Sequence, residues 1–181
     1  FEDDGLPEAS AFFQARSHNT LDSDPKLEQR INQLIDQWVQ KILAFSPRFI
    51  ALSVFTDDSR IACEMLIDKL SKIKHDSKIV LGGMGTRTEW LDTINDKIDF
   101  YIIGEGELAL ENLLKGNLNF KGINGKVDQI TDLTSLGPAN YDDYNLEPYE
   151  NFYVGKKVVQ ITGSRGCVRN CTYCDVNTHW P

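Results

Sequence analysis

The residues best suited to chemistry are three thiols crowded near one end of the chain, Cys167, Cys171 and Cys174. A fourth, Cys63, stands alone. Scattered pairs would suggest a disulfide framework, whereas a tight cluster points to metal or redox chemistry. Three thiolates at this spacing can wrap one face of an iron–sulfur cube and leave one iron without a protein ligand. Gly163-Ser-Arg-Gly166 runs into the first of them, and its glycines let the backbone bend around such a cluster. Two other uses of these thiols remain open. Cys171-Thr-Tyr-Cys174 has the spacing of a thioredoxin-like redox pair, but that leaves Cys167 unexplained. With His179 the three would supply a Cys3His zinc site.

A second group of candidates lies upstream, at the ends of apolar runs and in the loops that follow them: Ser53 and Thr56, then Gly82-Gly83, then Gly104-Glu105-Gly106-Glu107. The elements that position them are legible. Asp24-Pro25 opens a helix on which Leu27, Ile31, Leu34, Ile35, Trp38, Ile42 and Leu43 form one stripe, and Ser46-Pro47 ends it. Phe49 to Phe55 is a continuous β-forming run, as expected of a central strand covered on both faces. A polar loop over Thr56–Ser59 leads to a helix carrying Ile61, Met65, Leu66, Leu70 and Ile73. Strands over 78–81 and 100–103 each precede a helix, over 88–94 and 108–114. This alternation predicts an α/β fold with a Rossmann-like parallel sheet and right-handed crossovers. In such sheets ligands sit beyond the carboxyl ends of the strands, where all three loops fall.

The expected organisation is an irregular segment 1–24 with a short helix near Ala9–Ala15, the Rossmann-like domain 25–118, a linker 119–155, and from 156 a new strand, Val158–Thr162, leading to the cysteine loop. Within the linker, Ile123–Ile130 reads as a small hairpin, and Tyr141, Tyr144 and Tyr149 as packing anchors. Of the 181 residues, 41% are hydrophobic, near the globular norm. A net charge of -8 disfavours nucleic acid as a partner. No apolar run approaches a membrane span and no secretory signal is evident, so the expected location is the cytoplasm. The chain begins at Phe1, and its richest chemistry stands just before Pro181; the expectation is a piece of a longer protein.

Gln160–Asp175, with Cys-x3-Cys-x2-Cys and the aromatic Tyr173 before the last Cys, resembles the radical S-adenosylmethionine (SAM) enzymes. The resemblance implies that Cys167, Cys171 and Cys174 hold a [4Fe-4S] cluster whose free iron binds SAM, that Tyr173 borders the adenine, and that an electron from a donor such as flavodoxin or ferredoxin releases a 5′-deoxyadenosyl radical that acts on a substrate the sequence does not name. Ser53-Val-Phe55 followed by Gly82-Gly83 resembles the Ser-x-Leu and Gly-Gly pattern of cobalamin-binding domains, with Phe55 where Leu is usual. Gly104-Glu-Gly-Glu107 and the stretch Leu136-Gly-Pro-Ala-Asn-Tyr-Asp143 are similar to radical SAM proteins that carry such a domain at their amino terminus. By that resemblance Ser53, Thr56, Gly82, Gly83, Gly104, Glu105 and Gly106 line a cobalamin rim, and the chain ends in the first strand and cluster loop of a (β/α) barrel. Two departures stand out: only three strands precede the linker where that fold has five, and no Asp-x-His-x-x-Gly motif offers a cobalt ligand.

Overall fold

The computed structural model describes residues 25–142, 163–169, 171–174 and 176. The expected features at Ala9–Ala15, Asp24, Tyr144, Tyr149, Val158–Thr162 and His179 lie outside the described residues. The chain divides into two compact units, Phe1–Asp128 and Gln129–Pro181.

In the first unit the elements run α1 (Pro25–Ala44), β1 (Phe49–Ser53), α2 (Asp57–Leu70), β2 (Lys78–Gly82), α3 (Thr88–Ile94), β3 (Phe100–Ile103), α4 (Glu107–Leu114) and β4 (Gly125–Lys126). All pairings are parallel, in the order β1-β2-β3-β4. Ile31, Leu34, Ile35 and Val39 are the buried stripe of α1. Ile31, Ile35 and Val39 pack with Ile61, Leu66, Ile67 and Leu70 of α2, with Trp90, Leu91 and Ile94 of α3, and with Ile50, Ile79 and Leu81 of the sheet. Burying each such aliphatic side chain contributes about 1.5–3 kcal/mol. Val80 and Ile102 alternate with sheet residues packed against that cluster, and so face the other way. Ala109 and Leu113 of α4 are likewise buried outside the cluster. The Arg48 guanidinium donates to the carbonyl of Leu114, tying the end of α4 to the entry of β1.

Three expectations need correction. Thr56–Ser59 is not a free loop: α2 begins at Asp57, and Thr56 and Ser59 form a reciprocal capping box. Ile123–Ile130 is not a hairpin. Gly125–Lys126 adds a fourth parallel strand beside β3, within the stretch read as linker. Asn124 makes this possible: it adopts φ 56°, its Oδ1 accepts from the Tyr101 N–H at 3.0 Å, and its own N–H donates to the Tyr101 carbonyl at 2.8 Å. The side chain thus substitutes for a strand backbone where the chain turns. Third, β1 is not central. It stands at the sheet edge among the described residues, with Ala51 and Ser53 exposed on one face and Ile50 buried on the other.

Val127 wedges behind β4 between two glycines. A Cβ on Gly122, which has φ 101°, would lie 2.2 Å from Val127 Cγ1. One on Gly104, φ 102°, would lie 2.9 Å from Val127 Cγ2. Gly122→Ala combines left-handed strain with this overlap, so it is expected to cost about 1–3 kcal/mol, read as a lower urea midpoint with unchanged slope.

Among the described residues no helix is long and apolar enough to cross a membrane.

Candidate functional site

The parallel sheet brings the sequence-predicted loops to one edge. β1, β2 and β3 are neighbours, so their carboxyl ends, carrying Ser53, Gly82-Gly83 and Gly104-Glu105-Gly106, lie side by side. Ser53 is paired in register with Gly82, and paired residues project to the same face. The exposed Ser53 hydroxyl therefore stands beside a position with no side chain. Phe55, just beyond, is 69% exposed.

The two glycines of the pair do different work. A Cβ on Gly83, φ 96°, would lie 2.4 Å from the Val54 carbonyl oxygen and 2.9 Å from Ser53 Oγ. The chain then folds back on Val54: the Gly85 N–H donates to the Val54 carbonyl at 2.8 Å, and a Cβ on Gly85 would lie 2.8 Å from Val54 Cγ1. Gly83 and Gly85 are thus required by the wholly buried Val54. A Cβ on Gly82 would meet only the Ile102 carbonyl oxygen, at an ordinary 3.7 Å, so the absence of a side chain there is not imposed by packing. That leaves room at the rim for a ligand.

The remaining rim residues are placed as follows. Thr56 is exposed, and its hydroxyl accepts from the Ser59 N–H while the Ser59 hydroxyl bonds back to Thr56. Glu105 is buried, an unusual state for a carboxylate at a strand end. Gly106 precedes α4 with an ordinary φ of -78°. Two buried residues that no sequence signal marks follow the same Gly83–Gly85 turn. Thr86 and Trp90 are buried, and neither Thr86 Oγ1 nor Trp90 Nε1 has a hydrogen-bond partner.

The cysteine loop belongs to the second unit. Gly166 adopts φ 81°, a conformation that favours glycine, immediately before Cys167. The Arg169 N–H donates to Cys167 Sγ at 3.4 Å, and the Cys174 N–H closes a turn on the Cys171 carbonyl at 3.2 Å. All three thiols are free and exposed, and Tyr173 is 89% exposed between them. Among the described residues no three His, Cys, Asp or Glu side chains are gathered to hold a metal ion. The loop carries three soft thiol donors of the kind iron–sulfur clusters and zinc take, without assembling them.

Cys63 is set apart from these. It is partly buried on α2, and burial, aided by the neighbouring Glu64 carboxylate, pushes its thiol up to about 11. With a thiol reagent near pH 8, Cys167, Cys171 and Cys174 are expected to react fast and Cys63 only on unfolding. Four equally fast thiols would contradict this placement.

The sequence model of the B12 binding domain matches residues 3–114, more than half of the chain. The chain belongs to the B12-binding domain family. The match covers β1 to β3 and the loops at their carboxyl ends, B12 being cobalamin. An anaerobic magnesium-protoporphyrin IX monomethyl ester cyclase of Synechocystis sp. is 28% identical over 162 residues, covering 78% of this chain and 32% of that protein. An uncharacterised protein of Methanocaldococcus jannaschii is 24% identical over 157 residues, covering 78% of this chain and 29% of that protein. The chain therefore spans about a third of the length of the curated relatives it matches. No solved structure gives a significant match.

The residues of the B12-binding domain fit a cobalamin at this edge. Ser53 offers an exposed hydroxyl, Gly82 offers space that packing does not need, and the buried Thr86 hydroxyl beside the same turn lacks a partner.

Proposed function

We propose that this chain is the cofactor-binding portion of a radical SAM enzyme that uses cobalamin as a second cofactor for methyl transfer or related radical chemistry. The observation that carries the reading is the presence, in one chain, of a B12-binding domain and a Cys-x3-Cys-x2-Cys loop. The similarity to a cyclase described as anaerobic supports chemistry performed away from oxygen, in a reducing cytoplasm. The cobalamin domain is proposed to extend to Asp128, because β4 joins its sheet, with 129–155 as the linker and 156–181 as the start of the catalytic barrel.

In this reading the Ser53 hydroxyl bonds the nucleotide tail of cobalamin, Gly82 admits that tail beside it, and the turns at Gly83 and Gly104 shape the floor. Thr56, Glu105 and Gly106 complete the rim. Cys167, Cys171 and Cys174 hold the cluster as thiolates, and the Arg169 N–H partly neutralises the charge on Cys167 Sγ. Tyr173 borders the adenine of SAM. When bound, the cluster supplies an electron to SAM, the source of a 5′-deoxyadenosyl radical, and cobalamin supplies a methyl carrier. The cluster would draw its electron from a small redox protein such as flavodoxin or ferredoxin, and the sequence does not name the substrate.

Anaerobic reconstitution with ferrous iron and sulfide tests the reading. A brown, electron-paramagnetic species whose signal changes on adding SAM is the expected outcome. Stoichiometric zinc uptake with no iron would instead make the loop a structural knuckle on a non-catalytic binding module.

A further inference from the structure

The three thiols of the cysteine loop are not equivalent. The Cys174 N–H donates to the Cys171 carbonyl at 3.2 Å, so residues 171–174 form a hydrogen-bonded turn with a cysteine at each end. A turn of this kind holds its first and last Cα within about 7 Å, and a disulfide spans about 4.4–6.8 Å between Cα atoms. The backbone thus already has the closure that a Cys171–Cys174 bond needs. Cys167 is differently placed: its Sγ accepts from the Arg169 N–H at 3.4 Å, two residues further on. Among the described residues no turn bond links it to Cys171, and the three thiols are not gathered at one point. All three are exposed, so a small reagent can reach them, whereas Cys63 is partly buried on α2.

We infer that Cys171 and Cys174, in the loop without a cluster, are a reversible modification site for small aliphatic disulfides of the glutathione type, closing an intraloop disulfide that leaves Cys167 free. One thiolate of the pair attacks a sulfur of the small disulfide, which loses its first half as a thiol and leaves its second half bound to the protein. The other cysteine then attacks the protein-bound sulfur and expels that half as well, a step the turn favours by holding attacker and target together. Two protein thiols become one disulfide, one small disulfide becomes two thiols, and the two protons pass to the leaving thiolates. Such a bond withholds two of the three cysteines from a cluster until a reductant reopens it. That consequence rests on the reading of the loop as a cluster site; the disulfide itself does not.

The test uses the full chain, metal-free and reduced, treated under nitrogen with one equivalent of oxidised glutathione. Fast-reacting thiols are expected to fall from three to one, the intact mass to drop by two hydrogens, and peptide mapping to place the bond between Cys171 and Cys174. Cys167→Ser is expected to close the same bond, whereas Cys174→Ser stops at a glutathione adduct on Cys171. Cobalt(II), whose thiolate bands report ligation, is expected to bind the reduced chain and to lose those bands in the oxidised chain until dithiothreitol is added. An unchanged thiol count, stable glutathione adducts on both Cys171 and Cys174 of the native chain, or a bond to Cys167 overturns the inference. A Cys171–Cys174 disulfide in a chain whose reduced form takes up neither cobalt nor iron overturns the cluster reading and leaves the disulfide standing.

Discussion

Cys171→Ala is expected to abolish iron uptake in anaerobic reconstitution, from about four irons per chain to essentially none. The effect is large because the proposed site has no spare ligand. Only three cysteines stand in the loop, Cys63 lies on α2 in the other compact unit, and one iron of the cube is already left to SAM. With two thiolates a cube loses an anchored corner and hydrolyses. Folding of the B12-binding domain is expected to be untouched, because Cys171 is exposed and belongs to the second unit. Unchanged hydroxocobalamin binding by the variant would show this. If Cys171→Ala retained full iron content, the cluster assignment would fail. If both the native chain and the variant took up zinc alone, the loop would be structural.

The second large effect separates two adjacent glycines. Gly83→Ala puts a Cβ within 2.4 Å of a backbone oxygen at φ 96°, and backbone cannot step aside cheaply. It is expected to destabilise the domain by several kcal/mol and to lose cobalamin as a consequence. Gly82→Ala meets only an ordinary 3.7 Å contact, so its unfolding midpoint is expected to stay within about 0.5–1 kcal/mol of native. Its methyl, however, projects beside Ser53 where the cofactor's tail would lie. Affinity for hydroxocobalamin is expected to drop by roughly tenfold or more, the cost of overpacking a bound ligand. A folded Gly82→Ala that binds as native would remove the nucleotide tail from that position. The two substitutions therefore report on packing and on binding separately, although the sequence presents them as one Gly-Gly pair.

The alternation of α1 to α4 with β1 to β3 was legible because each helix carries a stripe and each strand a short apolar run, and the convergence of the loops on one edge follows from parallel pairing alone. β4 was not legible. It is two residues long, and what builds it is the Asn124 side chain imitating a strand and Val127 filling the gap between Gly104 and Gly122. The edge position of β1 was also missed, since an apolar run reports burial and not which neighbours exist. Gly83 belongs to the Gly-Gly pair that the resemblance assigns to the rim, and its close approach to Val54 is a contact across strands that no spacing reveals. Thr86 and Trp90 carry no sequence signal, because whether a donor is satisfied depends on everything folded around it.

The most direct test of the cobalamin rim is to load the intact chain with hydroxocobalamin, remove the excess by desalting, and measure corrin absorbance against protein. The predicted result is about one corrin retained per chain, with retention lost in Gly82→Ala while that variant stays folded. A native, folded chain that emerges colourless would contradict the account.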